Sequence, residues 1–193
     1  MFGALFSTTQ ALAQAKPSRA ETVTYINNVL AKSTGFVLSH TSVGSPKITG
    51  LTLVYEAATK SYMLEMNEEL FNNSDPSQRM RGVTRLRRFG WNFNRLQGIE
   101  DLEGLVSYSG ATSTHPDLRR VKITFAPGSV RQHHIQWVYQ NDRYHSERVL
   151  ADGTIDFVTF FYRKAEPDDG KRLRNALLRL KELDAEEPDP FLK

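Results

Sequence analysis

The chain of 193 residues contains no cysteine. That excludes disulfide staples, cysteine-ligated zinc, iron–sulfur clusters and a thiol nucleophile. It leaves the compartment open, because exported and cytosolic proteins can both lack the residue. No apolar run reaches the length of a membrane-spanning helix. There is no G-x-S-x-G elbow, no G-x-x-x-x-G-K or G-x-G-x-x-G phosphate loop, and no H-E-x-x-H spacing. A Ser–His–acid triad is recognised by geometry, and chain order offers no support for one. No internal repeat is present. Acid is missing locally as well: none stands between Pro76 and Ile99, where Arg79, Arg81, Arg85, Arg87, Arg88 and Arg95 all lie.

What is there is an ordinary globular composition, 39% apolar and 24% charged, with a formal charge of +3. A chain of this length suits one domain with a proper core. So small a net charge gives no strong drive toward nucleic acid. The opening residues end in Ala11-Leu12-Ala13-Gln14-Ala15. Ala13 and Ala15 match the small-residue positions of a signal-peptidase site, with Lys16 as the first mature residue. The charged leading region of a signal is missing, so residues 1–15 are expected to be the remainder of a signal peptide that starts upstream. The expected destination is periplasmic or secreted, with a cytoplasmic location as the alternative.

Residues 16–184 read as one α+β domain, and 185–193 as an acidic, disordered tail. Ser18-Arg19-Ala20-Glu21 is a capping box, and Val23, Ile26, Val29 and Leu30 follow at helical spacing. Ser33-Thr34-Gly35 closes that helix. The period then falls to two. Residues 51–56 and 61–66 form a hairpin around Ala58-Thr59, and 72–82 is a polar loop. Strand patterns return at 85–94 and 102–108, then at 121–125, 135–139 and 144–150. Asp152-Gly153 is the strongest hairpin signal, since a type I′ turn needs positive φ at both positions. Ile155–Tyr162 is apolar on both faces, which places it centrally in the sheet. Asp168 and Asp169 open a last helix whose stripe is Leu173, Ala176, Leu177, Leu180 and Leu183. The expected architecture is an N-terminal helix, a mostly antiparallel meander of seven or eight strands forming a partly closed barrel, and a C-terminal amphipathic helix.

The ending is an aromatic strand (Thr154–Tyr162), a short acidic turn and the helix KRLRNALLRLKEL. It resembles the close of pleckstrin-homology-like domains. The opening ETVTYINNVL is similar to the first helix of small exported bacterial proteins of uncharacterised function that carry such a β-meander. The resemblance implies the fold over residues 18–184 and brings no functional residue with it. The basic phosphoinositide loop of some pleckstrin-homology domains would fall at Ala57-Ala58-Thr59-Lys60, which holds a single cation.

Two candidate sites stand out. In the arginine run, Phe89, Trp91 and Phe93 are two apart, so one strand face would carry all three rings. Rings flanked by cations are what single-stranded nucleic-acid platforms use. The plainer account puts the rings in the core and pairs the arginines with Glu65, Glu68, Glu69 and Glu100. Aromatic residues at period two are core residues first. Arg85, Arg87, Arg88 and Arg95 are then the expected anion contacts, with Trp91 as a platform should it be exposed. The other candidate is a two-histidine, one-carboxylate metal site from His133, His145 and Glu147. His133 and His134 are adjacent, so in a strand they point to opposite faces. The expected function is a non-enzymatic exported binding module with a basic surface. Its partner would be an anionic lipid head group or an acidic protein, with no cofactor implied. One alternative is a small enzyme or ligand carrier with a pocket between sheet and helix. The other is a cytosolic single-stranded RNA-binding domain, a reading that export would disfavour.

Overall fold

Helix α1 (Arg19–Ala31) begins where the capping box places it. The Ser18 hydroxyl accepts from the Glu21 amide, and the Glu21 carboxylate accepts from the Ser18 backbone N–H at 2.8 Å. The computed structural model describes residues 16–37, 45–72, 80–102, 106–108, 111–113, 117–141 and 143–186. Residues 1–15 and 187–193 fall outside these. Ala185 and Glu186, expected to start the tail, are instead the last residues of a helix.

After α1 the chain forms β1 (Ser45–Glu56), β2 (Ser61–Asn72) and β3 (Met80–Trp91), then a 3-10 turn (Phe93–Arg95). There follow β4 (Leu96–Leu102), β5 (Val106–Tyr108), β6 (Ala111–Ser113), β7 (Leu118–Phe125), β8 (Val130–Gln140), β9 (Arg143–Ile155) and β10 (Phe157–Arg163). Helix α2 (Asp169–Glu186) closes the fold. The strands make two principal antiparallel sheets, five strands in the order β1-β2-β3-β8-β9 and three in the order β10-β7-β4. Among the described residues, β5 and β6 pair only with each other. The α+β class and the two flanking helices are as expected, and among the described residues the sheets do not close into a barrel. No helix among the described residues is long and apolar enough to cross a membrane.

Three local expectations are overturned. Asp152-Gly153 does not reverse the chain. Gly153 pairs with Gln132, Asp152 pairs with His133, and β9 runs on to Ile155. Gly153 has φ +144° and Asp152 is not among the residues with positive φ, so the two left-handed residues of a type I′ turn are not there. The chain passes to the other sheet at Asp156 instead. Second, β10 is an edge strand, not a central one. It is apolar on both faces because one face joins the core and the other lines a groove. The turn after α1 covers its free edge, where the Ser33 hydroxyl donates to the Phe161 carbonyl at 2.9 Å. Third, Leu96–Leu102 and the short Ala111–Ser113 are strands that sequence patterning missed.

The core is one continuous cluster. Ile26 and Leu30 of α1, Val121, Ile123 and Phe125 of β7, Val158 and Phe160 of β10, and Leu173, Leu177 and Leu180 of α2 are all inaccessible to solvent. The α2 stripe therefore docks on protein, and Lys171, Arg172, Arg174 and Lys181 stay outside. Asp184, buried near the end of α2, fastens four elements. It accepts from the Tyr62 hydroxyl at 3.0 Å and the Phe93 amide at 2.8 Å, and pairs with Arg19 at 3.1 Å. A buried carboxylate with this many donors is satisfied and reads as structural.

Candidate functional site

The arginine run is divided by the geometry of β3. Tyr62 pairs with Trp91 but Met63 pairs with Phe89, so Gly90 is the extra residue of a β-bulge. Its φ of +74° lies in the left-handed region that glycine tolerates. The bulge reverses the alternation. Trp91 and Phe93 both enter the core, 1% and 0% exposed, while Phe89 stays half-buried on the opposite face. The three rings expected on one face are thus split two and one. Trp91 stacks on Tyr62 at 5.2 Å, and its indole N–H donates to the Arg88 carbonyl at 3.1 Å. No face of that ring is left for a ligand, so a stacking platform at Trp91 is ruled out by its burial.

Before the bulge, odd and even residues of β3 face opposite ways. Arg81, Arg85 and Arg87 share the outer face of the large sheet with Glu65 and Glu69 of β2. Arg87 Nε donates to Glu65 at 2.7 Å, Arg85 lies 4.0 Å from the same carboxylate, and Arg81 lies 3.4 Å from Glu69. Burial works to raise the pKa of Glu65. The hydrogen bonds from Arg87 and Asn67 and the charges of Arg87 and Arg85 outweigh it and hold the carboxyl below its ordinary value. On the other side, Arg85 covers the Trp137 ring and Arg81 the Tyr139 ring, at 5.2 and 5.1 Å from the centroids. These arginines are held in a cross-strand ladder with acids and rings. Arg95 is exposed in the 3-10 turn and makes no ion pair among the described residues. Arg85, Arg87, Arg88 and Arg95 therefore do not form one cluster.

Arg88 is on the inner face, and there it meets a groove. The space between the large sheet and the outward face of the small sheet has a volume of about 400 Å³. That lies within the range typical of small-molecule sites. Leu64 and Met66 of β2 and Leu86 of β3 make one wall. Arg120 and Lys122 of β7 and Phe157, Thr159 and Phe161 of β10 make the other, with Leu102 of β4 beside them. The register explains the second wall: Arg120 pairs with Phe161 and Leu102, and Lys122 with Thr159. Phe157 gathers the charges. The Arg88 guanidinium lies 4.8 Å and the Lys122 ammonium 5.0 Å from its ring centroid. Arg88 also donates to Gln132 at 3.4 Å.

No acid lines this groove among the described residues. Glu100, the cross-strand partner of Lys122, is exposed and forms no ion pair with it. Arg120 and Lys122 have no carboxylate within 4 Å among the described residues, and Arg120 Nε is buried without a hydrogen-bond acceptor. The neighbouring His134 shares the face of Leu86 and Arg88 through its pairing with Leu86. Burial lowers its pKa, and the charge of Arg88 lowers it further. Its Nε2 is buried without a partner.

The three candidate metal ligands stay apart. His133 is on the outer face with Asp152 at 3.6 Å, whereas Glu147 pairs four residues further along β8 and accepts from the Trp137 indole at 2.8 Å. His145 is the unpaired residue of a bulge between Ser146 and Tyr144. No group of three metal-ligating side chains occurs among the described residues. A second cleft, of about 620 Å³, separates α1 and α2, but its Lys16 and Arg179 are both paired to Glu182. Sequence reasoning missed Arg120 and Lys122 because period two in β7 marks them as the polar face, with nothing to say that a second sheet stands opposite. No family model, no curated protein and no solved structure matches the chain.

Proposed function

We propose that the protein is a non-enzymatic binding module that takes a small organic anion in the groove between its two sheets. The supporting observation is the pair Arg120 and Lys122, set in a recessed, largely apolar lining without a carboxylate partner among the described residues. Charges away from bulk water interact more strongly with an incoming anion than exposed ones do. The outer arginines are poorer candidates, since Glu65 and Glu69 already offset most of their charge. The pleckstrin-homology-like resemblance bears on element order alone and lends this function no residue. Export belongs to the same proposal, and N-terminal sequencing of protein from its native host would find Lys16 first.

The test is titration calorimetry with phenyl phosphate. The double variant Arg120→Glu with Lys122→Glu should lose at least tenfold in affinity, and Arg85→Glu with Arg87→Glu should stay within twofold of the parent. The reverse pattern would move the site to the outer face.

A further inference from the structure

Resting on the groove as an anion site, we infer that its ligand is a monomeric single-tailed amphiphile. The head would be held by Arg120 and Lys122, and the tail laid along Leu102 and over the floor of Leu64, Met66 and Leu86. The two walls differ in polarity. The large sheet offers three aliphatic side chains and Arg88, while the small sheet sets two cations and the Thr159 hydroxyl among Phe157, Phe161 and Leu102. That hydroxyl has no hydrogen-bond partner among the described residues, so it is available to an incoming oxygen. Arg120 and Lys122 sit two residues apart on one face of β7, about 7 Å along the strand. A head with several anionic oxygens can bridge that distance. A bare inorganic anion would satisfy the cations and leave the half-buried Leu102 and Phe157 facing water. A neutral apolar ligand would cover the wall and leave two cations desolvated without a counter-charge, which is costly. An anionic head on one alkyl chain satisfies both walls.

The groove also separates a free amphiphile from a bilayer. A site that inserts into a membrane presents large apolar side chains at its rim. Among the described residues the exposed ones are Tyr25, Val37, Val54, Tyr144, Val149, Leu150 and Leu178, and none of them lines the groove. The ligand is therefore expected to leave its aggregate and enter as a single molecule.

The experiment is a chain-length series on the full protein: inorganic phosphate, then ethyl, hexyl and decyl phosphate below their aggregation limits. Affinity should rise about two- to fourfold per added methylene. Leu102→Gln should weaken decyl phosphate at least threefold and leave ethyl phosphate unchanged, and Lys122→Gln should weaken every member alike. Vesicles of phosphatidylcholine with an anionic phospholipid should not sediment the protein. Affinity that is flat with chain length would overturn the amphiphile while leaving the anion site standing. Absence of binding by every member would remove the anion site itself. Vesicle binding without binding of monomeric decyl phosphate would assign the face to a membrane and overturn the inference.

Discussion

The two faces of β3 carry the same residue type to different ends. On the outer face, Arg81, Arg85 and Arg87 meet two glutamates on β2 and rings on β8, so most of the charge is offset within the sheet. On the inner face, Arg88 and Lys122 meet over Phe157 and Arg120 lines the same groove, where no acid lines the space among the described residues. A basic stretch of sequence is thus a poor guide to a basic surface. What decides is the strand opposite, which supplies glutamates on one side and more cations on the other.

The contrast can be broken most severely at the rings. Trp91→Ala should cost about 3–5 kcal/mol, as expected for a fully buried large aromatic. Phe89→Ala, one bulge away, should cost about 1 kcal/mol or less. Urea unfolding of both variants would measure the difference, and equal losses would contradict the division of the rings. Gly90→Ala sharpens the same point. At φ +74° it should cost about 1–2 kcal/mol although no neighbour lies within 4 Å of an added Cβ. A neutral result would mean that β3 has no bulge.

The inner face should also carry a pH signature. The folded-state pKa of His134 is below its unfolded value near 6.5. The unfolded chain therefore binds the proton first as pH falls. Stability should be complete above pH 6.5, decline as pH falls from there toward the lowered folded value, and then level off. His134→Gln should flatten that part of a Tm-against-pH curve, and an unaltered slope would show that the imidazole is not desolvated. The smallest effect belongs to the outer ladder. Glu65→Gln should cost under about 1 kcal/mol, because half-exposed ion pairs contribute little. The Glu65 carboxyl is depressed, so its contribution is present above its unfolded pKa and is lost as pH falls through the folded one.

Much of the fold was legible because local rules governed it. Ser18 and Glu21 announced α1, the leucine stripe announced α2, and period two located most strands. The errors share a cause. Gly90 inside a strand pattern is itself a bulge signal, yet counting by twos across it put Phe89 and Trp91 on one face. Asp152-Gly153 carries hairpin chemistry, but tertiary pairing to His133 and Gln132 keeps it extended. Within the candidate site, only Arg88 was named from sequence. Arg120 and Lys122 became visible once β7 was seen to face the large sheet, since no local pattern encodes what stands across a gap.

The central claim is that anions bind between the sheets and not on the arginine-rich outer face. Backbone amide chemical shifts, followed during titration with decyl phosphate, test it most directly. The largest changes are predicted at Leu86, Arg120, Lys122, Phe157 and Thr159, with Arg81, Glu65 and Trp137 nearly still. Changes centred on Arg85, Arg87 and Trp137, with β7 unmoved, would contradict it.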